Sequence, residues 1–239
     1  MVDKNWLYKD CVAINENISI RIPTVREVLE REDEYYGLIS LLTAMPIDLL
    51  VQLDDLGIDF TQINDYELFL LMFPMVQQSD TSMVFGDLDL SKFQMAMNND
   101  TKSVVYLNPE TDVVIDRRTQ QQIAAVLRRM HGLKKNTKRP GNEAAKEYLL
   151  ERARKKIKRQ KRKSSDSQIE PLIVSLVCTE QFKYNFEETK DLSIYQFNLS
   201  AKQIINYVEY KNRMFGVYTG NIDAKTLQTK DLTWLLQND

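Results

Sequence analysis

The chain has 239 residues, 43% of them hydrophobic, and a formal net charge of -2, the profile of a soluble protein with enough apolar content for a real core. Seven glycines and six prolines are few, and favour long helices over tight turns. The two cysteines, Cys11 and Cys178, exclude a disulfide framework and fit a reducing compartment.

In chain order, VAINENISIRI at 12–22 places short apolar runs on either side of Asn15-Glu16-Asn17, which predicts a small hairpin. PTVREVLE follows, with Thr24 as N-cap and Glu27 at the capping-box position. EYYGLISLLTA and PIDLLVQLDDLG come next, with Pro46 in a first turn and Gly57 as a C-terminal stop. DYELFLLMFPMV supplies another apolar helix. Leu38, Leu41, Leu42, Leu49, Leu50 and Leu53 recur at helical spacing, so residues 24–76 read as a helical bundle.

The period then changes. KFQMAMNNDTKSVVYLN at 92–108 alternates on both sides of Asn98-Asn99-Asp100, a second hairpin, and TDVVID predicts a third short strand. RRTQQQIAAVLRRMHG is an amphipathic helix presenting Ile123, Val126, Leu127 and Met130, stopped by Gly132. LKKNTKRPGN has turn residues and no apolar period, so it is a loop. Asn142 caps a helix whose inner stripe is Ala145, Leu149, Ala153 and Ile157. Beyond Ile157 that stripe ends, and the helix is expected to fray through KRQKRKSSDS into a flexible connector. EPLIVSLVC, a loop around Phe182 to Phe186 and a long helix over 193–219 complete the chain. Ser193 and Gln196 form a second capping box, Gly220 is the stop, and Trp234 is expected to anchor against the end of the long helix. The fold class is therefore mainly α with a small antiparallel β insertion, helical regions flanking a hairpin lobe. By segment this gives 1–84 (hairpin and bundle), 85–132 (β lobe with its amphipathic helix), 133–167 (basic helix and linker) and 168–239 (C-terminal helical unit).

Charge is strongly segregated. Residues 128–163 hold sixteen Lys or Arg against Glu143, Glu147 and Glu151, a net of +13, which leaves sixteen basic and thirty-one acidic residues elsewhere, a net of -15. Nine residues of RARKKIKRQKRK at 152–163 are basic: Arg152, Arg154, Lys155, Lys156, Lys158, Arg159, Lys161, Arg162 and Lys163. Such a patch neutralises phosphates, but no aromatic side chain is interleaved to stack bases. A charged connector that meets the acidic body of its own chain, or of a neighbouring copy, is the favoured reading. The start MVDKNWLYKD lacks the basic-then-apolar order of a secretory signal. No uncharged apolar run approaches the roughly 20 residues of a bilayer span, so a soluble, cytosolic protein without a membrane partner is expected.

No catalytic or metal site is predicted, and no cofactor. His131 is the only histidine, which removes paired-His metal sites, and its place at a helix end suggests a dipole-complementing cation. Cys11 and Cys178 lie in apolar runs and are expected in the core. The carboxylates at Asp54, Asp55 and Asp59, at Asp87 and Asp89, and at Asp112 and Asp116 match no EF-hand, P-loop or zinc spacing. Their use with Mg²⁺ belongs to an alternative reading, a nucleic-acid-binding protein and metal-dependent nuclease drawing on the basic segment. Met72, Met75, Met83, Met95 and Met97 offer an adaptable surface or core filling. On the long helix, apolar residues spread over more than one face. One face packs at home, and Tyr207, Tyr210, Arg213, Met214 and Tyr218 are the residues expected to meet a partner.

Three segments, VVIDRRTQQQIAAVLRRMHGL, KRPGNEAAKEYLLERARKKIKRQKRK and IYQFNLSAKQIINYVEYKNRMFGVYTGNIDAKTLQTKDLTWL, together resemble proteins encoded with tail-morphogenesis genes of tailed bacteriophages. The resemblance is one of pattern, with no catalytic signature, and its nearest class is the tail-assembly chaperones. It implies a helical, non-enzymatic protein that binds other tail proteins, such as the tape-measure or tail-tube protein, and self-association is compatible with it. It implies action in the bacterial host cytoplasm, with virion association as the alternative. The β lobe is not part of the simple chaperone pattern and fits a baseplate or connector component instead.

Overall fold

A computed structural model describes residues 5–98, 102–160 and 167–235. The first two strands, β1 (Cys11–Ala13) and β2 (Ser19–Arg21), pair antiparallel with Val12 opposite Ile20. The Asn15 side chain shapes their turn, its Oδ1 accepting from the backbone N–H groups of Asn17 and Ile18 at 2.9 and 2.7 Å. The pleat sends Val12 and Ile20 into the core and leaves Cys11 outside. Both cysteines are exposed, which corrects the expectation of core thiols: an apolar run does not say which way each residue of a strand or helix end points.

Helix α1 (Val25–Glu30) opens on the predicted capping box, Thr24 Oγ1 accepting from Glu27 N–H and Glu27 Oε2 accepting from Thr24 N–H. Then come α2 (Glu32–Thr43), a 3₁₀ turn at Pro46–Leu49, α3 (Leu50–Asp55), α4 (Asp65–Gln78) and the single turn α5 (Ser82–Phe85). Gly57 follows α3 with φ +72°, the left-handed conformation that favours glycine. A 3₁₀ turn at Leu90–Lys92 leads into β3 (Gln94–Asn98), β4 (Ser103–Asn108) and β5 (Val113–Ile115), an antiparallel sheet in that order. Helix α6 (Arg117–His131) is capped by Asp116, whose carboxylate accepts from Thr119 N–H, and stopped by left-handed Gly132. Helices α7 (Glu143–Gln160), α8 (Glu170–Val177), α9 (Phe186–Asp191) and α10 (Ile194–Tyr218) follow, and two 3₁₀ turns at Ala224–Thr226 and Thr229–Leu232 end the described chain. The protein is an α+β fold, predominantly helical, with one two-stranded and one three-stranded antiparallel sheet. Helix α9 is an addition to the elements expected from the sequence. Its six residues, four of them charged (Glu187, Glu188, Lys190, Asp191), show no apolar period.

Two apolar cores hold these elements. The larger joins Val12 and Ile20, α2 through Tyr35 and Leu42, α4 through Phe69 and Phe73, Tyr106 and Ile115 of the sheet, α6 through Ile123 and Leu127, and Ile173, Phe182 and Phe197 of the C-terminal part. It therefore draws on three of the four segments delimited by composition. The second gathers Leu50, Val51, Leu53, Phe60 and Leu68, with Leu150, Ala153 and Ile157 of α7 packed on it. The start of α10 is fixed to the start of α1: Val25 N–H donates to Leu192 O, Ile194 N–H to Pro23 O, and capping residues Thr24 and Ser193 form an isolated antiparallel bridge. Two caps built within a few residues of sequence are thus joined across most of the chain.

Candidate interaction surfaces

The basic helix α7 sits on the acidic end of α3. Arg154 Nη2 reaches Asp54 Oδ2 at 2.7 Å and Asp55 Oδ1 at 2.6 Å, and Lys146 Nζ reaches Asp59 Oδ2 at 2.9 Å. Aspartates at a helix C-terminus oppose its dipole, and the guanidinium offsets them. Asp59 is held down to about 2 by the Lys146 ammonium and by the Thr61 N–H and hydroxyl donors. The loop before α7 continues the pattern, Lys135 pairing with Asp65 and Asn136 with Asp48, both at 2.8 Å. The acidic body expected to receive the basic segment is therefore, for Lys135, Lys146 and Arg154, the chain's own.

The rest of the basic set divides three ways. Lys155 pairs with Glu151 one helical turn earlier. Arg152, Lys156, Lys158 and Arg159 are exposed, and among the described residues none of the ion pairs involves them. Lys161, Arg162 and Lys163, with Ser164, Ser165 and Asp166 of the expected connector, lie outside the described residues. The chain beyond is tied to α2: Glu32 accepts from Ser167 Oγ and from the N–H groups of Gln168 and Ile169 at 2.5, 2.6 and 3.0 Å. Glu32 thereby serves the start of α8, a role that no local spacing announces.

Five of the seven carboxylates weighed as metal ligands, Asp54, Asp55, Asp59, Asp89 and Asp116, have structural partners. Asp89 Oδ1 accepts from Ser91 N–H and Oγ, Asp116 caps α6, and Asp112 occupies a positive-φ turn position. Among the described residues no group of three or more His, Cys, Asp or Glu side chains is arranged to hold a metal ion. His131 packs between Tyr35 and Tyr36, with Nε2 2.9 Å from Tyr35 Oη and Nδ1 3.5 Å from Asn198 Nδ2. Burial lowers its pKa to about 4, so at neutral pH the ring is uncharged. The expected cationic partner for the α6 dipole is replaced by a neutral ring bridging α2, α6 and α10. Of the methionines, Met83 is buried and Met72 packs on the second core, whereas Met75, Met95 and Met97 are exposed.

Helix α10 presents an exposed apolar surface. Its first part is buried through Ile194, Tyr195, Phe197 and Ala201. Along the remainder, residues 219–235 fold back as a hook. Ile222 N–H donates to Gly216 O, and its side chain lies so close that a Cβ at Gly216 would sit 2.6 Å from Ile222 Cδ1. Arg213 Nη1 donates to Asp231 O at 3.2 Å, Gln203 Nε2 and Asn206 Nδ2 both donate to Trp234 O at 2.8 Å, and the Trp234 ring meets Tyr207 edge-on at 6.0 Å. Trp234 thus docks at mid-helix, not at the helix end as expected, and remains 47% exposed.

The hook covers part of the face assigned to a partner from sequence: Tyr207, Tyr210, Arg213 and Met214 are half-buried, and Tyr218 alone of that set is fully open. The open stripe lies to one side, with Ile205 at 54%, Val208 at 41%, Phe215 at 69% and Tyr218 at 86% exposure. These residues were visible as apolar positions of the helix, but the hook that sorts covered from open faces carries no periodic signal.

Residues 158–237 match a family model described as the YomV second domain, a phage-derived family. The C-terminal third of the chain is thus similar to a phage-associated domain. The matched range contains α8, α9, α10 and the hook. No curated protein and no solved structure matches the chain.

Proposed function

We propose that this protein is a non-enzymatic assembly factor of a tailed phage that binds other tail proteins during morphogenesis, with the open stripe of α10 as its docking surface. The observation that carries the reading is the exposed set Ile205, Val208, Phe215 and Tyr218 on a helix held at both ends of its open stretch, by the core and by the hook. Apolar side chains clustered in this way on an ordered helix mark interaction sites. The phage-derived family matched by the same residues and the resemblance to tail-morphogenesis proteins support a tail role. Action in the host cytoplasm follows from that role, and no helix among the described residues is long and apolar enough to cross a membrane. The test is copurification of the full chain with the tape-measure and tail-tube proteins of its phage. Capture lost in Phe215→Asp with an unchanged melting temperature supports the reading; capture by neither protein overturns it.

A second reading rests on the exposed Arg152, Lys156 and Arg159 of α7, which would neutralise phosphates of a nucleic acid. Tight binding of the parent to DNA at physiological salt, abolished by exchanging Lys155, Lys156, Lys158 and Arg159 for Gln, would favour it. Mg²⁺-dependent cleavage lost in Asp112→Ala would extend it to a nuclease.

A further inference from the structure

The stripe on α10 belongs to a longer pattern. Ile194, Phe197, Ala201, Ile204, Val208, Lys211, Phe215 and Tyr218 follow one another at alternating spacings of three and four residues, the 3.5-residue repeat of a helix-on-helix seam. The first four serve the fold: Ile194 and Phe197 are at 0% exposure, Ala201 is buried, and Ile204 packs on the main core. The last four continue the same line into solvent, flanked by Ile205, and the hook packs beside the line without covering it. The occupant that such a seam fits is another helix carrying the same repeat.

We infer that the open half of this seam pairs with the α10 helix of a second copy of this chain, in antiparallel orientation. The inference deepens the reading of this face as a docking surface by naming the partner it takes when no tail protein is bound. Continuity with the buried half of the seam argues for a helix as occupant, and the chain supplies one per copy. Charge sets the direction. Lys211 lies in the middle of the open seam, so a parallel pair would set it against its own counterpart, and a single Lys at such a position selects against that arrangement. An antiparallel pair overlapping over residues 208–218 sets Val208 opposite Tyr218, and Lys211 opposite Phe215, each contact occurring twice by the two-fold symmetry. Lys211 already rests over an aromatic face, its Nζ 5.6 Å from the Tyr207 ring centroid, and a second ring at Phe215 extends that cation–π setting. Few side chains per copy take part, so the contact belongs with small, reversible interfaces.

The experiment is sedimentation of the full chain over a concentration series at low and high salt. The parent is expected to pass from monomer to dimer, with the dimer persisting at high salt, because its seam is apolar whereas contacts through α7 would be screened. Phe215→Asp is expected to weaken association by about tenfold or more with an unchanged circular dichroism spectrum, and Met97→Asp, an exposed apolar site elsewhere, is expected to leave it intact. Orientation is read in a Cys11→Ser, Cys178→Ser background. Val208→Cys and Tyr218→Cys chains are expected to crosslink when mixed and not when each is alone. A parent that stays monomeric throughout, association that survives Phe215→Asp, or self-crosslinking of Val208→Cys alone overturns the inference. A monomeric parent whose capture of tail proteins still depends on Phe215 removes the dimer and leaves the docking reading standing; dimerisation through Phe215 with no capture does the reverse.

Discussion

His131 shows how one part-buried titratable ring ties stability to pH. Its pKa falls from 6.5 to about 4 on burial, so the folded protein holds the neutral form while the unfolded chain binds a proton below its ordinary pKa. The sign follows: the contribution of the neutral ring is fully present above pH 6.5 and is lost as pH falls toward 4. Between pH 7 and pH 5 the loss amounts to about 2 kcal/mol. The melting temperature is expected to drop over that interval in the parent and to stay nearly level in His131→Gln, which keeps a polar side chain and removes the titration. A parallel drop in both proteins would assign the pH dependence to other groups. Gly216 is the second residue whose identity follows from close contact. Gly216→Val would drive Cβ into Ile222 and is expected to release the hook, read as a red shift of Trp234 emission in a Trp6→Phe background.

At the scale of elements, α7 poses the question of which force docks a basic helix. Its ion pairs are half-exposed, Arg154 at 46% against Asp54 at 44% and Asp55 at 57%, and solvent-screened pairs of that kind add little to stability. The apolar contact of Leu150, Ala153 and Ile157 with the second core is the larger contribution, because it removes hydrocarbon from water. Ile157→Asp is therefore expected to undock α7, seen as faster tryptic cleavage within residues 152–159, whereas Arg154→Gln is expected to change the cleavage rate little. Equal effects of the two would mean that charge carries the docking. The Asp59 pair adds an acid dependence: its carboxylate pKa is lowered from 3.8 to about 2, so its contribution is present above pH 4 and lost as pH falls toward 2.

At the scale of the molecule, the main core crosses from the first strands to α10. Phe197, fully buried and 6.4 Å from the Phe182 ring, lies in the same core as Tyr35 and Phe73. A shared core unfolds as a unit, so thermal unfolding of the described body is expected as one transition. Phe197→Ala is expected to shift the whole transition, at a cost of about 3–5 kcal/mol. A variant in which only a minor, early transition moved would show that the C-terminal part folds independently.

What the sequence determined by itself is what neighbouring residues decide among themselves. Thr24 with Glu27 and Ser193 with Gln196 close their capping boxes within one helical turn, and Gly57, Gly132 and Gly220 adopt the positive φ that ends a helix. The strand alternation around 94–108 and the 3.6-residue period of α6 follow equally from local pattern. The exposed cysteines, the neutral His131, the three donors gathered by Glu32 and the mid-helix seat of Trp234 depend on residues tens of positions away, which no local pattern contains. The site divides the same way. The apolar richness of α10 is written in its sequence, but its partition into a home face, a hooked face and an open stripe is tertiary. Burial is set by what arrives from elsewhere in the chain, here the main core and the hook at 219–235, and periodicity records only that a helix has faces to offer.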